Sequence, residues 1–168
     1  MKHPALKMYD YHIWANEVIM DRLKELPEDI FHKEIQSGFS SVSEVFAHIY
    51  ITDNTWFEVV TGKSMEQAMI SSNEQREQLI RKNLDEMKEI YQGLSEKFKT
   101  FINNEEDIDK LLLVDNPYAG KLETSISETI LHIATHGAYH RGNIATMLRQ
   151  VGHTSVMQDY GLYLYHAK

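Results

Sequence analysis

Apolar side chains recur along much of this chain at spacings of three and four residues, which predicts amphipathic helices. Four segments combine this pattern with capping residues: about Pro4–Leu26, about Val42–Val60, about Asn73–Asn103, and from just after Ser125 to about Val151. The third has the most regular stripe, made of Ile80, Leu84, Met87, Tyr91, Leu94, Phe98 and Phe101. Such steps are typical of helices that cross at shallow angles, so we expect an all-α fold with the helices packed as an antiparallel bundle.

The helix ends carry signals of their own. Pro4 suits the first turn of a helix, and Pro27 lies just past its end. Capping pairs, in which Ser is followed three residues later by Glu or Gln, precede the other helices: Ser41 with Glu44, Ser72 with Gln75, and Ser125 with Glu128. Gly62 and Gly152 fit the position just after a helix.

The segment before the last helix has a different pattern. Leu111–Val114 and Lys121–Glu123 flank Asp115-Asn116-Pro117, which predicts a short hairpin or an extended crossover. The Tyr-rich tail, His153–Lys168, is expected to pack back across the bundle end. The chain has no repeat, low-complexity segment or linker, so residues 1–168 are expected to form a single domain.

Composition narrows the class of protein. Apolar residues make up 42% and charged residues 25%, as in soluble globular domains. There is no apolar run of about 18 residues and no secretory signal pattern, so we expect a cytoplasmic protein that does not bind membranes. The absence of cysteine excludes disulfides, thiolate ligands and a Cys nucleophile. A formal charge of −8 without a basic stripe argues against a nucleic-acid partner.

Nine histidines are present, and two of them interrupt an apolar stripe. On the last helix that stripe runs through Ile126, Ile130, Ile133, Gly137, Ile144, Leu148 and Val151. His140 occupies the gap before Ile144, and His136 lies one turn earlier on the same face. Buried imidazoles are costly unless their nitrogens have partners, and a divalent metal ion is one such partner. Spacing alone leaves open both a metal site and a hydrogen-bonded core pair.

Further ligands for such an ion must come from another helix. His48, beside the apolar stripe of the second helix, is the best candidate. Three imidazoles suit Zn, Ni, Fe or Cu, and three protein ligands leave coordination positions open, as in catalytic sites. His132 and His140 are about 12 Å apart along the axis, so only one of them can share an ion with His136. The stripe favours His140, and His132 and His12 are then candidates to contact the ligands without binding the ion.

Several segments of the chain resemble those of a known family. His132–Ile144 reads H-I-A-T-H-G-A-Y-H-R-G-N-I and resembles the H-x-x-x-H-x-x-x-H-R-G-[QN]-I signature of the DinB/YfiT-like proteins. Tyr11–Asn16 resembles that family's N-terminal aromatic-W-A-N pattern, and Ser43–Ile49 the segment that supplies its first histidine. The tail around Gly152 and Asp159-Tyr160 also fits, so the resemblance spans nearly the whole chain.

The resemblance implies an up-down-down-up four-helix bundle with a long crossover between its second and third helices. It implies one divalent ion per chain, Zn or Ni with Fe or Mn as further options, held by His48, His136 and His140. The first histidine of the triple is usually not a ligand in that family, which agrees with the stripe argument about His132. Homodimers are common there, and relatives include thiol-dependent S-transferases, a thiol-dependent isomerase and metal-dependent hydrolases.

We therefore expect a metal-dependent enzyme that acts on a small molecule. It would either transfer a low-molecular-weight thiol to an electrophile or hydrolyse a substrate with metal-bound water. Since the chain has no cysteine, the thiol would be an external cosubstrate. The alternative is a non-catalytic stress-response protein whose metal only stabilises the fold. Nucleic-acid binding is a third hypothesis, which the charge disfavours.

Several side chains near the expected ligands are candidates for a role in the site, and most of them have a second, structural interpretation. Glu44 can move protons or only cap its helix, and Tyr139 can move protons beside His140. Arg141 can bind an anionic group of the substrate or pair with a surface carboxylate. Asp53 and Trp56 can line the pocket, although a large aromatic side chain such as Trp56 is also typical of a core.

Overall fold

The computed structural model describes residues 3–167, which form a mostly helical protein with a small two-stranded sheet. The four long helices are α1 (Pro4–Lys24), α2 (Val42–Val60), α5 (Leu84–Asn104) and α6 (Ile126–Gln150). The shorter elements are a 3₁₀ turn (Glu28–Phe31), α3 (Met65–Asn73), α4 (Arg76–Arg81), α7 (Tyr160–His166), β1 (Leu111–Asn116) and β2 (Gly120–Ser125). Among residues 3–167, no helix is both long and apolar enough to cross a membrane.

Helix α1 begins where the sequence predicts but ends slightly earlier. Pro4 is its first residue, and the His3 side chain accepts a hydrogen bond from the Ala5 backbone. The helix stops at Lys24 rather than Leu26. The physical reason is Pro27, whose ring disfavours helical backbone in the residue before it.

Helix α2 has the predicted bounds. The Ser41 hydroxyl accepts a hydrogen bond from the Glu44 backbone N–H at 3.2 Å, and Gly62 follows the helix with a φ of 113°. This left-handed conformation strains most residues but not glycine, which explains why the chain turns there.

The predicted third helix, Asn73–Asn103, is wrong in its first part. The structure divides this region into α3, α4 and α5, and the long helix starts at Leu84. Asn83 forms a complete capping box with Glu86: its side chain accepts from the Glu86 N–H, and its own N–H donates to the Glu86 carboxylate, both at 2.9 Å. Ser72, the expected cap, instead accepts a hydrogen bond from Asn54 at 3.0 Å.

The segment before the last helix is a hairpin, as one of the two predicted alternatives had it. Strands β1 and β2 pair antiparallel, from Leu111 opposite Ser125 to Asn116 opposite Gly120. Ser125 then caps α6 by accepting from the Glu128 N–H at 3.2 Å, as predicted. Gly152, with a φ of 85°, follows its C-terminus.

The tail packs back against the helices through α7. Tyr163 of α7 contacts Tyr11 and Trp14 of α1, with ring centroids 5.9 and 5.6 Å apart. The tail's last residue, Lys168, lies outside the described residues.

Two apolar clusters form the core, one toward each end of the long helices. One joins the C-terminal half of α1 to the N-terminal halves of α2 and α5 and the C-terminal part of α6. It includes Ile19, Phe46, Met87, Ile144 and Leu148. The other joins the opposite ends and includes Ala5, Phe98, Ile102, Ile130 and Ile133. Between them lies a layer of buried polar side chains: His12, Asn16, Asp53, His140 and Arg141.

Candidate metal centre

Three imidazoles converge where α2 meets α6. His48 comes from α2, and His136 and His140 come from successive turns of α6. The Nε2 atom of His48 lies 3.1 Å from Nε2 of His140 and 3.2 Å from Nε2 of His136. One nitrogen from each ring lies within 4.8 Å of the other two, and the cluster consists of the three residues that the sequence analysis singled out.

The spacing of these nitrogens fits a metal ion. Zinc binds imidazole nitrogen at about 2.0–2.1 Å in tetrahedral geometry, which separates neighbouring nitrogens by about 3.4 Å. The observed 3.1 and 3.2 Å are close to that separation. The residues present therefore fit a divalent ion.

The protonation state of the three rings is also the one that metal binding requires. Burial and the nearby His140 lower the pKa of His48 to about 4, and burial together with neighbouring histidines lowers the pKa of His136 to about 3. Burial also lowers the pKa of His140. All three rings are therefore neutral at pH 7, the form in which histidine binds a metal.

Asn143 fixes the orientation of His140. Its side-chain oxygen lies 3.1 Å from Nδ1 of His140, so that nitrogen carries the proton and donates to it. The Nε2 lone pair then points into the cluster. Such an outer partner is the usual way in which a protein sets the tautomer of a ligand histidine. Asn143 was predicted only as part of a motif, although its place three residues after His140 on a helix indicates that the two side chains can meet.

Two aromatic rings border the cluster. Phe39, in the segment before α2, lies with its ring centroid 5.3 Å from His48 and 5.4 Å from His140. Tyr139 packs edge-on to His140 at 5.0 Å, while 72% of its surface remains exposed. Phe39 was not predicted from the sequence, because nothing local in a loop indicates which side chain will reach the site.

His132 lies beside the three-histidine cluster and is not part of it. Its ring centroid is 5.8 Å from that of His136 and 5.4 Å from that of Trp56. Trp56 is half-buried and lines a cavity of about 420 Å³ together with His48 and His132. Trp56 also packs against the apolar cluster that contains Ile130 and Ile133, so it lines the cavity and contributes to the core.

His12 and Asp53 lie behind α6 in the buried polar layer. Nε2 of His12 donates to the Asp53 carboxylate at 2.8 Å, and Arg141 Nη1 lies 3.4 Å from its Nδ1. The His12 ring packs directly on Gly137, where a Cβ atom would lie only 2.6 Å from Nδ1. His12 thus contacts the backbone between His136 and His140, and Asp53 bonds to His12 rather than lining the cavity.

Arg141 differs from both expectations. It is fully buried, so it is not a partner for a surface carboxylate, and its contacts are within the protein. The guanidinium donates to Gln158 at 2.6 Å and to Asn16 at 2.8 Å, and it lies 3.4 Å from the Tyr11 hydroxyl. These bonds tie α6 to α1 and to the segment before α7. The sequence could not indicate this, because the burial of Arg141 depends on two distant segments, α1 and the segment before α7.

Glu44 makes hydrogen bonds that cap the N-terminus of α2. Its carboxylate accepts a hydrogen bond from the Ser40 backbone at 3.0 Å, and its backbone N–H is bonded to Ser41. These contacts favour the capping interpretation over a part in proton transfer.

Together these features define a class: a mostly helical protein with three converging histidines suited to a divalent ion. Comparison with known proteins makes the assignment specific. The chain belongs to the DinB family, whose family model matches residues 1–168. It is 44% identical over 164 residues to "Protein DinB" of Bacillus subtilis (strain 168), a match that covers 98% of this chain and 95% of that protein.

Solved structures share the fold. A crystal structure of the mycothiol-dependent maleylpyruvate isomerase superposes with a TM-score of 0.60 at 15% identity. The match covers 84% of this chain, which spans 60% of the isomerase's length. A histidine-to-alanine mutant of the same isomerase gives a TM-score of 0.58 at 14% identity, with the same coverage.

Proposed function

We propose that this protein binds one divalent metal ion through His48, His136 and His140 and acts as a metal-dependent enzyme on a small molecule. The observation that carries the proposal is the convergence of three neutral imidazoles, with Nε2 atoms 3.1 and 3.2 Å apart, beside an open cavity. Three protein ligands leave coordination positions for a substrate, as in catalytic rather than structural sites. Zn or Ni is the proposed ion, with Fe or Mn as further options.

Of the two reactions considered, we favour transfer of an external low-molecular-weight thiol to an electrophile over hydrolysis. In such a transfer a carbon–sulfur bond forms, the thiol proton is released, and the leaving group departs with its electron pair. A bound divalent ion would supply a Lewis acid that lowers the pKa of a thiol or of a water molecule. Support for the thiol comes from the name of the isomerase that shares the fold, which is mycothiol-dependent.

The chain's own residues would bind and orient the reactants. Asn143 holds His140 with its Nε2 lone pair facing the cluster. Phe39 covers one side of His48 and His140 with an apolar ring and limits access of water there. Tyr139, exposed and 5.0 Å from His140, is placed to exchange a proton with solvent.

Metal binding is tested by stripping the protein with a chelator, adding Zn or Ni, and measuring the ion content. The wild type should bind about one ion per chain, as three ligands on one chain predict. His136→Ala should lose it. His132→Ala is the matched control, since this histidine lies one turn away on the same helix and outside the cluster, and it should keep the ion. Failure of the wild type to bind, or equal binding by His136→Ala, would overturn the proposal.

The alternative, a non-catalytic stress-response protein with a structural metal, makes a different prediction. Metal removal would then unfold the wild type or greatly lower its free energy of unfolding. The enzyme proposal instead expects metal-free protein and His136→Ala to stay folded, while a screen of small thiols with an electrophilic aromatic chloride shows turnover only with metal-loaded wild type.

Two further expectations become part of the proposal: an up-down-down-up arrangement of α1, α2, α5 and α6, and a homodimer. Both are supported by membership of the family. Light scattering after size-exclusion chromatography tests the dimer, and a monomer at micromolar concentration would contradict it.

A further inference from the structure

An open cavity of about 420 Å³ extends from the metal centre along α2. Its floor is formed by successive turns of that helix: His48, Thr52 and Thr55 with Trp56. Eight residues of helix separate the first and last of these, so the floor is about 12 Å long. This length can hold a small molecule with its reacting group next to His48.

Helices α3 and α4 cover different parts of the cavity. Asn54 of α2 donates to Ser72 at the end of α3, so α3 covers the part of the floor beyond His48. Helix α4 then packs through Leu79 on Ala47 and Ile51, on either side of His48. The cavity therefore has two chemically different ends.

The end near Trp56 is apolar. Trp56 is half-buried there, and Met65 and Met69 of α3 line the wall above it. Methionine and tryptophan side chains bind apolar groups of varied shape, because the thioether chain is flexible and the indole ring is large. This end suits an aliphatic or aromatic arm.

The end near His48 carries a positive charge. Arg76 of α4 lines the cavity there, three residues before Leu79, which packs on Ala47 and Ile51. Within residues 3–167, no carboxylate forms an ion pair with Arg76, although the chain has eight more acidic than basic residues. Arg81, at the other end of the same helix, does approach a carboxylate, that of Glu77, at 3.8 Å.

We propose that this cavity binds a small organic anion: Arg76 pairs with its carboxylate or phosphate, and an apolar arm lies against Trp56, Met65 and Met69. This inference rests on the proposed function for its meaning, since it describes a substrate or cosubstrate of the metal centre. Because Arg76 and His48 line the same cavity, the anionic group would lie near the metal centre. An arginine beside a carboxylate or phosphate can form paired, charge-assisted hydrogen bonds.

Binding is measured first with metal-free protein, so that an anion cannot coordinate a metal instead of Arg76. The probes are hexanoate, hexyl phosphate and the uncharged hexanamide. Binding of each probe is measured from NMR chemical-shift changes and from Trp fluorescence. Hexanoate or hexyl phosphate should bind more tightly than hexanamide. The tighter of the two anions identifies the anionic group as carboxylate or phosphate.

Arg76→Gln should weaken binding of the preferred anion about tenfold or more, as expected for loss of a charged hydrogen-bond partner. It should leave hexanamide binding unchanged. Arg81→Gln, on the same short helix, is the matched control and should bind like the wild type. Equal binding of anion and amide, no binding of any probe, or equal effects of the two variants would overturn the inference.

The apolar end is tested by chain length. Hexanoate should bind more tightly than acetate. Met69→Ala should reduce the ratio of the two affinities severalfold, since it removes apolar contact surface. Ile70→Ala is the control, because Ile70 is 56% exposed and lies outside the cavity. If Met69→Ala leaves the difference between hexanoate and acetate intact, the apolar arm is wrongly placed.

Repeating the titrations with Zn-loaded protein separates this inference from the proposed function. If the ion binds but Arg76→Gln has no effect in either form, only the anion site is wrong. If no ion binds but metal-free protein still prefers the anion through Arg76, the metal-enzyme proposal is wrong and the anion site stands.

Discussion

Replacing Gly137 by alanine tests whether the His12 ring sets the position of the metal-bearing turn of α6. A Cβ atom at residue 137 would lie 2.6 Å from His12 Nδ1 and 2.9 Å from Arg141 Nη1, and it would also collide with His12 Cε1. Ordinary contact begins at about 3.5 Å, so the ring would have to retreat by about 1 Å.

That retreat is opposed by every contact of the His12 ring. Its Nε2 donates to Asp53 at 2.8 Å, its Nδ1 faces Arg141 at 3.4 Å, and only 2% of the residue is exposed. Overpacking of this kind costs about 1–3 kcal/mol. Alanine is favoured over glycine in a helix by about 1 kcal/mol, which offsets part of the cost. We expect a net loss of up to about 2 kcal/mol, or a melting temperature up to about 8 °C lower for a chain of this size.

Gly142→Ala is the matched control on the same helix. Gly142 is exposed, and a Cβ atom there would meet nothing within 4 Å, so this variant should be neutral or stabilised by up to about 1 kcal/mol. Urea unfolding of metal-free protein gives both free energies. In a His12→Ala background, Gly137→Ala should lose most of its penalty, because only the approach to Arg141 Nη1 at 2.9 Å would remain. The reasoning fails if Gly137→Ala stabilises the wild type as much as Gly142→Ala does.

Three further predictions follow from contacts around the site. Asn143→Ala should weaken metal binding about 10–100-fold with little effect on folding, because His140 loses its Nδ1 partner; Asn143→Asp, which keeps an acceptor, should bind nearly normally in competition with a chelator. The low pKa values of His136 and His48, about 3 and about 4, mean that the unfolded chain takes up protons first as the pH falls. Metal-free protein should therefore be most stable above about pH 6.5 and lose stability toward pH 4.5, with a smaller loss in His48→Gln; a flat profile over that range would contradict this. Tyr91→Phe should cost about 1–2 kcal/mol in urea unfolding, since the buried hydroxyl donates to the Phe46 carbonyl at 2.7 Å; no change would show that this bond adds nothing to stability.

What the sequence could predict was local. The gap in the apolar stripe of α6 indicated that His136 and His140 face the interior, because side chains four residues apart share a helix face. The capping pairs at Ser41 and Ser125 correctly placed the starts of α2 and α6. The predicted start of the third helix was wrong because the region contains two candidate capping pairs, Ser72 with Gln75 and Asn83 with Glu86. Only the second forms both hydrogen bonds of a capping box.

What the sequence could not predict depends on packing between distant segments. His12 and Asp53 are 41 residues apart, and Arg141 reaches Asn16 across 125 residues. No periodicity indicates such pairs, so Arg141 was expected at the surface or at the substrate. The choice of His48 as the third ligand depended on the family resemblance, since its own helix offered no second histidine.

The buried polar layer lies between the two apolar clusters, behind the turn of α6 that carries His136 and His140. Replacing the bonded side chains of this layer together by apolar residues of similar volume would remove the desolvation cost of the buried charges, which often leaves stability unchanged or improves it. Replacing Arg141 or Asp53 alone would instead leave its buried partners without a hydrogen bond. The bonds of the layer fix α6 relative to α1 and α2 at the turn that carries His136 and His140, with Gly137 allowing His12 to approach. Positioning of the three histidines is then the role that distinguishes this layer from an ordinary core.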